Sequence, residues 1–150
     1  MNTDVNAIKQ ILLRDLANLE NEIKSYHQEA DLWLINGDIN NSAGNLALHI
    51  CGNLQHFIGA IIGDDGYVRR RELEFETKDM PVAELLNEIG RTKSAIENAL
   101  NKTSDIALEK VYPIEVFGEP MTFSYFLIHL TGHLMYHLGQ INYHRRLLAS

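Results

Sequence analysis

Four histidines lie close together near the C-terminus of this 150-residue chain. The stretch HLTGHLMYHLGQINYH, residues 129–144, contains His129, His133, His137 and His144, and the first three are spaced four residues apart. Residues at this spacing share one face of a helix, with Cβ atoms about 5–6 Å apart, so two imidazoles can bind one ion. Three cannot, because eight residues of helix rise roughly 12 Å while ligand nitrogens lie about 2.0–2.1 Å from a metal.

A third ligand therefore has to come from another helix. The segment LALHICGNLQHFIG, residues 46–59, places His49, Asn53 and His56 on one helical face, at spacings of four and seven. The leucines and isoleucine around them indicate that this face borders the core. Three neutral histidines with open positions form a ligand set of catalytic Zn²⁺ that Ni²⁺, Fe²⁺ or Cu²⁺ also accept. On spacing alone, histidines hydrogen-bonded within the core remain the alternative.

Four segments with helical periodicity position these residues. We predict helices from Val5 to about Leu34, from the N-cap Ser42 to about Ile62, from Pro81 to Leu100, and from Phe123, capped by Thr122, to Leu148. Residues 63–80 are charged and lack periodicity, which predicts a long surface loop. Residues 103–120 are predicted to form a short hairpin or an extended crossover. The pattern favours an all-α four-helix bundle in which residues 1–150 form one domain, with a crossover between the third and fourth helices.

Composition and charge exclude several classes of function. The formal net charge is −7, from 13 basic and 20 acidic residues, and repels a nucleic-acid backbone. The single cysteine, Cys51, cannot form an internal disulfide, and its position about 200° around the helix from His49 predicts an inert buried thiol. No apolar run approaches the roughly 18 residues that span a membrane, and the N-terminus lacks a secretory signal. We therefore expect a cytoplasmic protein without a membrane segment.

The assembled residues resemble the DinB family of small four-helix bundles, also described as DinB/YfiT-like metalloenzymes. The resemblance lies in His49 of LALHICGNLQHFIG and in the HxxxHxxQ ending HLMYHLGQI, which contains His133, His137 and Gln140. The segment HICGNLQHFIG, followed by the charged RRRELEF, looks like a less characterised branch of the family.

The resemblance implies a metal site and a class of reaction. It implies that His49, His133 and His137 bind a divalent ion, with zinc or nickel expected first and iron as a further candidate. It also implies a thiol S-transferase that uses a low-molecular-weight thiol such as bacillithiol or mycothiol, and a homodimer. His129 and His56 are additional to the family motif and stay open as alternative ligands.

Two polar residues share faces with the candidate ligands. Gln140 and Asn53 could orient a ligand imidazole or a water through hydrogen bonds. The alternative for Gln140 is a hydrogen bond between helices, and for Asn53 a hydrogen bond to a neighbouring backbone or side-chain group.

Several other residues near the histidines are predicted to lie on a loop, at the surface or in the core. The arginines of residues 69–71 could bind a carboxylate of a thiol or substrate, but a solvated loop that includes Glu74 is the alternative. His144, beside two arginines, is predicted to be a surface or helix-end residue. Tyr136 is predicted to pack in the core.

Two classes of function follow. The first is a metal-dependent enzyme that activates a thiol or water for attack on a small-molecule substrate, as a transferase or hydrolase. The second is a non-catalytic, dimeric bundle that binds metal or another ligand. The second is favoured by the lack of an evident acid or base carboxylate near the histidines.

Overall fold

A computed structural model describes residues 3–150, over which the chain is helical and has no strand. The α-helices are α1 (Thr3–Lys24), α2 (Ala43–Leu54), α3 (Arg71–Glu76), α4 (Val82–Leu100) and α5 (Phe123–Leu148). α1 and α2 each pack against both α4 and α5, so the four long helices form the predicted bundle. No helix within residues 3–150 has the length and apolar character needed to cross a membrane.

The first helix is shorter than predicted. Its stripe of apolar residues is fully buried, as in Leu12 and Ile23, but α1 ends at Lys24 and a separate 3₁₀ turn follows at Glu29–Trp33. The predicted continuation to Leu34 is wrong. Trp33 is still buried because its ring packs over Gly44 of α2, where a side chain would collide with it. The apolar spacing continues through the turn, so it could not reveal the break.

The second helix begins where predicted and changes its geometry before it ends. The Ser42 hydroxyl accepts a hydrogen bond from the Asn45 amide at 3.2 Å, which confirms the N-cap. After α2, a π-helical segment runs over Gln55–Ala60. A π turn contains one residue more than an α turn and therefore alters the face that following residues present.

The π-helical segment forms a hydrogen bond with the crossover between α4 and α5. The Ile61 amide donates to the His56 carbonyl, and the Ile62 amide donates to the Ile58 carbonyl. Neither amide bonds to the Phe57 carbonyl, which lies between these two acceptors in sequence. The Phe57 carbonyl instead accepts the hydroxyl of Tyr112 at 2.6 Å. The middle of the crossover is therefore attached to the end of the second helix.

The predicted loop over residues 63–80 contains α3, which lies against α2. A helix of six residues is too short to show a period, and it is stabilised here by tertiary contacts. The Asn45 side chain of α2 donates to the carbonyls of Glu74 and Thr77 at 3.0 and 2.7 Å, which satisfies backbone groups at the end of α3. Glu74 is buried, contrary to the prediction of a solvated loop.

The crossover between α4 and α5 combines a 3₁₀ turn, Asp105–Glu109, with a minimal hairpin. The Tyr112 amide donates to the Met121 carbonyl at 2.8 Å, and the Phe123 amide donates to the Lys110 carbonyl at 2.9 Å. Thr122 then caps α5 as predicted, accepting from the Tyr125 amide at 3.1 Å.

Candidate metal centre

Two packed helices bring the three candidate ligands together. His49 lies on α2, and His133 and His137 lie one turn apart on α5, which packs against α2. His49 is buried, and the other two rings are partly buried. The ring centroids of the three imidazoles lie 4.5–5.1 Å apart.

The nitrogens that face one another are all Nε2 atoms. His133 Nε2 lies 3.2 Å from His49 Nε2 and 3.2 Å from His137 Nε2. One nitrogen from each of the three rings falls within 4.8 Å of the other two. Nitrogens about 2.0–2.1 Å from a tetrahedral zinc ion lie about 3.3 Å apart, so this spacing suits one shared ion.

Hydrogen bonds at the Nδ1 atoms of His49 and His137 determine which nitrogens of these two rings carry protons. His49 Nδ1 lies 3.0 Å from Glu74 Oε1, and His137 Nδ1 lies 2.7 Å from Gln140 Oε1. Both oxygens accept hydrogen bonds, so both Nδ1 atoms donate, which leaves a lone pair on each Nε2. A single proton on His133 Nε2 could satisfy only one of its two neighbours. The arrangement is therefore suited to a cation, with the outer partners typical of metal-binding histidines.

Burial also favours the neutral forms of His133 and His137, which metal binding requires. Burial, with the neighbouring His137 and His49, lowers the pKa of His133 to about 4. Burial likewise lowers the pKa of His137, although the hydrogen bond to Gln140 opposes this change. Burial alone would raise the pKa of Glu74, but hydrogen bonds from His49 and Arg69 lower it below its ordinary value. Glu74 is thus an anion facing His49.

Comparison with known families agrees with this geometry. A family profile described as the DinB superfamily matches residues 12–141, a span that contains all three histidines and Gln140. The chain belongs to the DinB superfamily. No curated protein and no solved structure gives a significant match to it. The resemblance and the bundle fold expected from the sequence are confirmed.

This DinB protein supplies His49 with an outer carboxylate that is itself held by an arginine. Arg69 Nε and Nη2 both donate to the Glu74 carboxylate at 2.9 Å. The Arg69 side chain is only 12% exposed, so the prediction of a solvated loop is wrong for this residue. Arg70 pairs with Glu72 on the surface, and Arg71 is exposed at the start of α3.

The two alternative histidine ligands lie outside the group of three. His129 is exposed, and its ring is stacked on the ring of Phe126. The centroid of the His129 ring lies 6.2 Å from that of the His133 ring. His56 lies in the π-helical segment and packs edge-on against Phe57. Burial and the charge of Arg69 lower the pKa of His56.

A cleft of about 300 Å³ opens beside His49 and His133. Asn53 lines it and is buried, and its Oδ1 has no hydrogen-bond partner within the described residues 3–150. A second cleft, of about 380 Å³, is lined by His137 and Gln140. The group of three histidines is therefore bordered by two clefts.

Two residues near the site do not lie where the sequence predicted. His144 is buried: its Nδ1 lies 2.7 Å from the Tyr26 hydroxyl and its Nε2 lies 2.9 Å from the Leu34 carbonyl. It is a core residue with two hydrogen bonds. Tyr136 is 66% exposed and is not part of the core. Cys51 is buried as predicted, and burial raises its pKa to about 12.

Glu74 is the site residue that sequence reasoning missed. It lies 25 residues from His49 in a segment without periodicity, so no spacing links the two. The available signal was Gly52, a glycine inside a helix and close to His49, because such a glycine marks close approach of another group. The carboxylate of Glu74 occupies that space.

Proposed function

We propose that this DinB protein is a metal-dependent enzyme in which His49, His133 and His137 hold one divalent ion, zinc or nickel first and iron as a further candidate. The observation that carries the proposal is the convergence of three Nε2 atoms beside an open cleft. Such an ion, when bound, lowers the pKa of a thiol or water in contact with it. We favour transfer of a low-molecular-weight thiol to a small electrophile, with hydrolysis as the related reaction.

The side chains of the site divide the remaining tasks. Glu74 and Gln140 accept hydrogen bonds from the Nδ1 atoms of His49 and His137, which holds those rings with their Nε2 atoms facing inward. The cleft admits the substrate, and the Asn53 carboxamide is placed to bond a polar group within it. Reduced small thiols are abundant in the cytosol, and a cytoplasmic location is part of the proposal.

Metal analysis tests the ligand assignment. We expect purified wild-type protein to contain about one equivalent of a divalent metal. The substitutions His49→Ala, His133→Ala and His137→Ala are expected to abolish binding. His56→Ala and His129→Ala are matched controls and should retain the metal. Unchanged metal content in all five variants would contradict the assignment.

Activity measurements test the enzyme proposal separately. The metal-loaded protein is incubated with bacillithiol, glutathione or coenzyme A and a panel of electrophiles, and in parallel with a panel of esters. We expect thiol-dependent turnover that His133→Ala removes. Metal binding without turnover on either panel would favour a binding protein.

A non-catalytic, dimeric bundle is the second candidate, and one feature favours it. The outer side of α5 exposes apolar side chains along its length: Tyr125, Ile128, Met135, Tyr136, Tyr143 and Leu147. A long apolar stripe on one helix is suited to a second copy of the chain. Sedimentation of wild type and Ile128→Glu tests the homodimer: we expect a dimer that the substitution dissociates, and a monomeric wild type would contradict it.

A further inference from the structure

The cleft beside His49 and His133 is aromatic and cationic. Its walls include the rings of Phe57, Phe117 and Phe126. Two arginines, Arg69 and Arg71, line it. Within the described residues 3–150, no aspartate or glutamate lines it. The chain as a whole has a formal charge of −7, so the cleft is opposite in sign to the rest of the protein.

The two arginines differ in their availability. Arg69 is committed to Glu74 through two hydrogen bonds and is almost buried. Arg71 is exposed and forms no salt bridge with any carboxylate of residues 3–150. Its guanidinium lies 5.2 Å from the centre of the Phe75 ring. That ring packs in turn on His49, with centroids 5.0 Å apart. An unpaired cation thus lies one aromatic ring away from the candidate metal ligands.

The cleft also contains a polar group that lacks a partner. Asn53 is 7% exposed, and its Oδ1 accepts no hydrogen bond from the part of the chain that the structure describes. Buried polar atoms are nearly always bonded, because an unpaired one loses the hydrogen bonds that water would otherwise give it. The Asn53 Oδ1 can only accept, so it would bind an O–H or N–H group that a ligand carries in addition to any anionic group.

We propose that this cleft binds a small aromatic carboxylate, with its carboxylate on Arg71 and its ring against the phenylalanines. Arginine binds carboxylates through parallel N–H donors, and phenyl rings pack on one another in offset or edge-on contacts. The cleft volume of about 300 Å³ is at the lower end of ligand pockets and suits a molecule with one ring. This ligand is the substrate of the proposed enzyme, so the inference rests on the proposed function and names its substrate class.

Calorimetric titration of the full-length protein with three probes tests the charge requirement. Phenylacetate carries the ring and the anion, phenylacetamide is its neutral counterpart, and benzylamine is its cationic counterpart. We expect wild type to bind phenylacetate in preference to both. Arg71→Gln should weaken phenylacetate binding about tenfold and remove the preference over the amide.

Arg70→Gln is the matched control. It removes the same charge from the neighbouring residue, whose side chain is 68% exposed, pairs with Glu72 and lines a different cavity. We expect it to leave phenylacetate binding unchanged. Equal losses in both variants would indicate only long-range attraction and would overturn the proposal.

The aromatic wall is tested by Phe117→Ala. Phe117 is 49% exposed and lies on the crossover, so its removal is not expected to prevent folding. Loss of its ring contact should weaken phenylacetate binding about fivefold without changing the weak binding of acetate. Ile106→Ala, another exposed apolar residue of the crossover, should have no effect.

The same titrations on zinc-loaded and chelator-treated protein separate this inference from the metal proposal. Binding by chelator-treated protein that depends on Arg71 supports the cleft. Binding that vanishes with the chelator and ignores Arg71→Gln would place the carboxylate on the ion, which overturns the cleft assignment but supports the metal. Absence of phenylacetate binding, or equal affinity for phenylacetamide in wild type, would also overturn it.

Discussion

The carboxylate of Glu74 lies over Gly52 of α2, in the space that the Cβ of any other residue would occupy. From this position it accepts a hydrogen bond from His49 Nδ1 on one side and two hydrogen bonds from Arg69 on the other. The glycine is thus what allows a carboxylate from α3 to reach a histidine of α2.

Gly52→Ala is expected to be destabilising, which is opposite to the usual effect. Alanine ordinarily stabilises a helix interior by about 0.5–1 kcal/mol relative to glycine. Here the added Cβ displaces Glu74, so we expect a lower free energy of unfolding and a zinc affinity about 10–100-fold weaker. Urea unfolding and competitive zinc titration measure the two effects. Gly90→Ala, where a Cβ meets nothing within 4 Å, should gain stability. A similar gain at residue 52 would contradict the steric argument.

Glu74→Gln tests the charge at the same position. Glutamine can still accept from His49, but Arg69 loses its anionic partner in a nearly buried setting. We expect a loss of about 3 kcal/mol in the free energy of unfolding and a zinc affinity about tenfold weaker. Glu72→Gln removes one half of an exposed pair and should cost less than about 1 kcal/mol. The interpretation fails if the two variants behave alike.

The metal-free protein is expected to lose stability in mild acid. The pKa of His133 is lowered to about 4, against 6.5 for the ordinary side chain. Between these values the unfolded chain binds a proton that the folded chain does not, so stability falls as the pH falls from 6.5 towards 4. Because the ring is partly exposed, we expect His133 to account for about 1–2 kcal/mol.

Unfolding in urea across this pH range, with a chelator present, measures the effect. His133→Gln should reduce the dependence on pH, whereas His27→Gln, at an exposed histidine after α1, should not. Identical pH profiles for wild type and His133→Gln would show that the ring is not held neutral by burial.

Tyr112→Phe tests the attachment of the crossover. Tyr112 is 1% exposed, and its hydroxyl is the donor to the Phe57 carbonyl. Without it a backbone oxygen near the cleft loses its partner, at an expected cost of about 1–2 kcal/mol in the free energy of unfolding. Tyr125→Phe, at an exposed tyrosine, should change stability by less than about 0.5 kcal/mol. Equal effects would show that the buried hydrogen bond contributes nothing.

The parts of the fold that depend on local sequence were predictable. α5 begins and ends at the predicted residues because a threonine cap and a continuous apolar pattern define it, and the HxxxH spacing alone brings His133 and His137 onto one face. Contacts between distant segments were not predictable in this way. Glu74 reaches His49 only because α3 packs on α2, and α3 is too short to show a period.

The errors at the end of the first helix and at His144 concern segments that contact each other. The predicted first helix continued to Leu34, so the sequence pattern showed no turn between Lys24 and the Leu34 carbonyl. In the structure α1 ends at Lys24, and that carbonyl is available to His144 Nε2. Tyr26, which lies between α1 and the 3₁₀ turn, contacts the other ring nitrogen. His144 was predicted to lie at the surface because it neighbours two arginines, and the apolar pattern did not reveal the segment that buries it.

The π-helical segment at Gln55–Ala60 has a consequence for how molecules reach the site. By leaving the Phe57 carbonyl to Tyr112, it anchors the middle of the crossover, whose Val116 and Phe117 line the cleft. We therefore expect this side of the cleft to stay fixed in position. Deuterium exchange at the Tyr112 amide should accordingly be as slow as in the bundle interior. We then expect molecules to enter and leave the cleft on the side of Arg71, whose side chain is exposed.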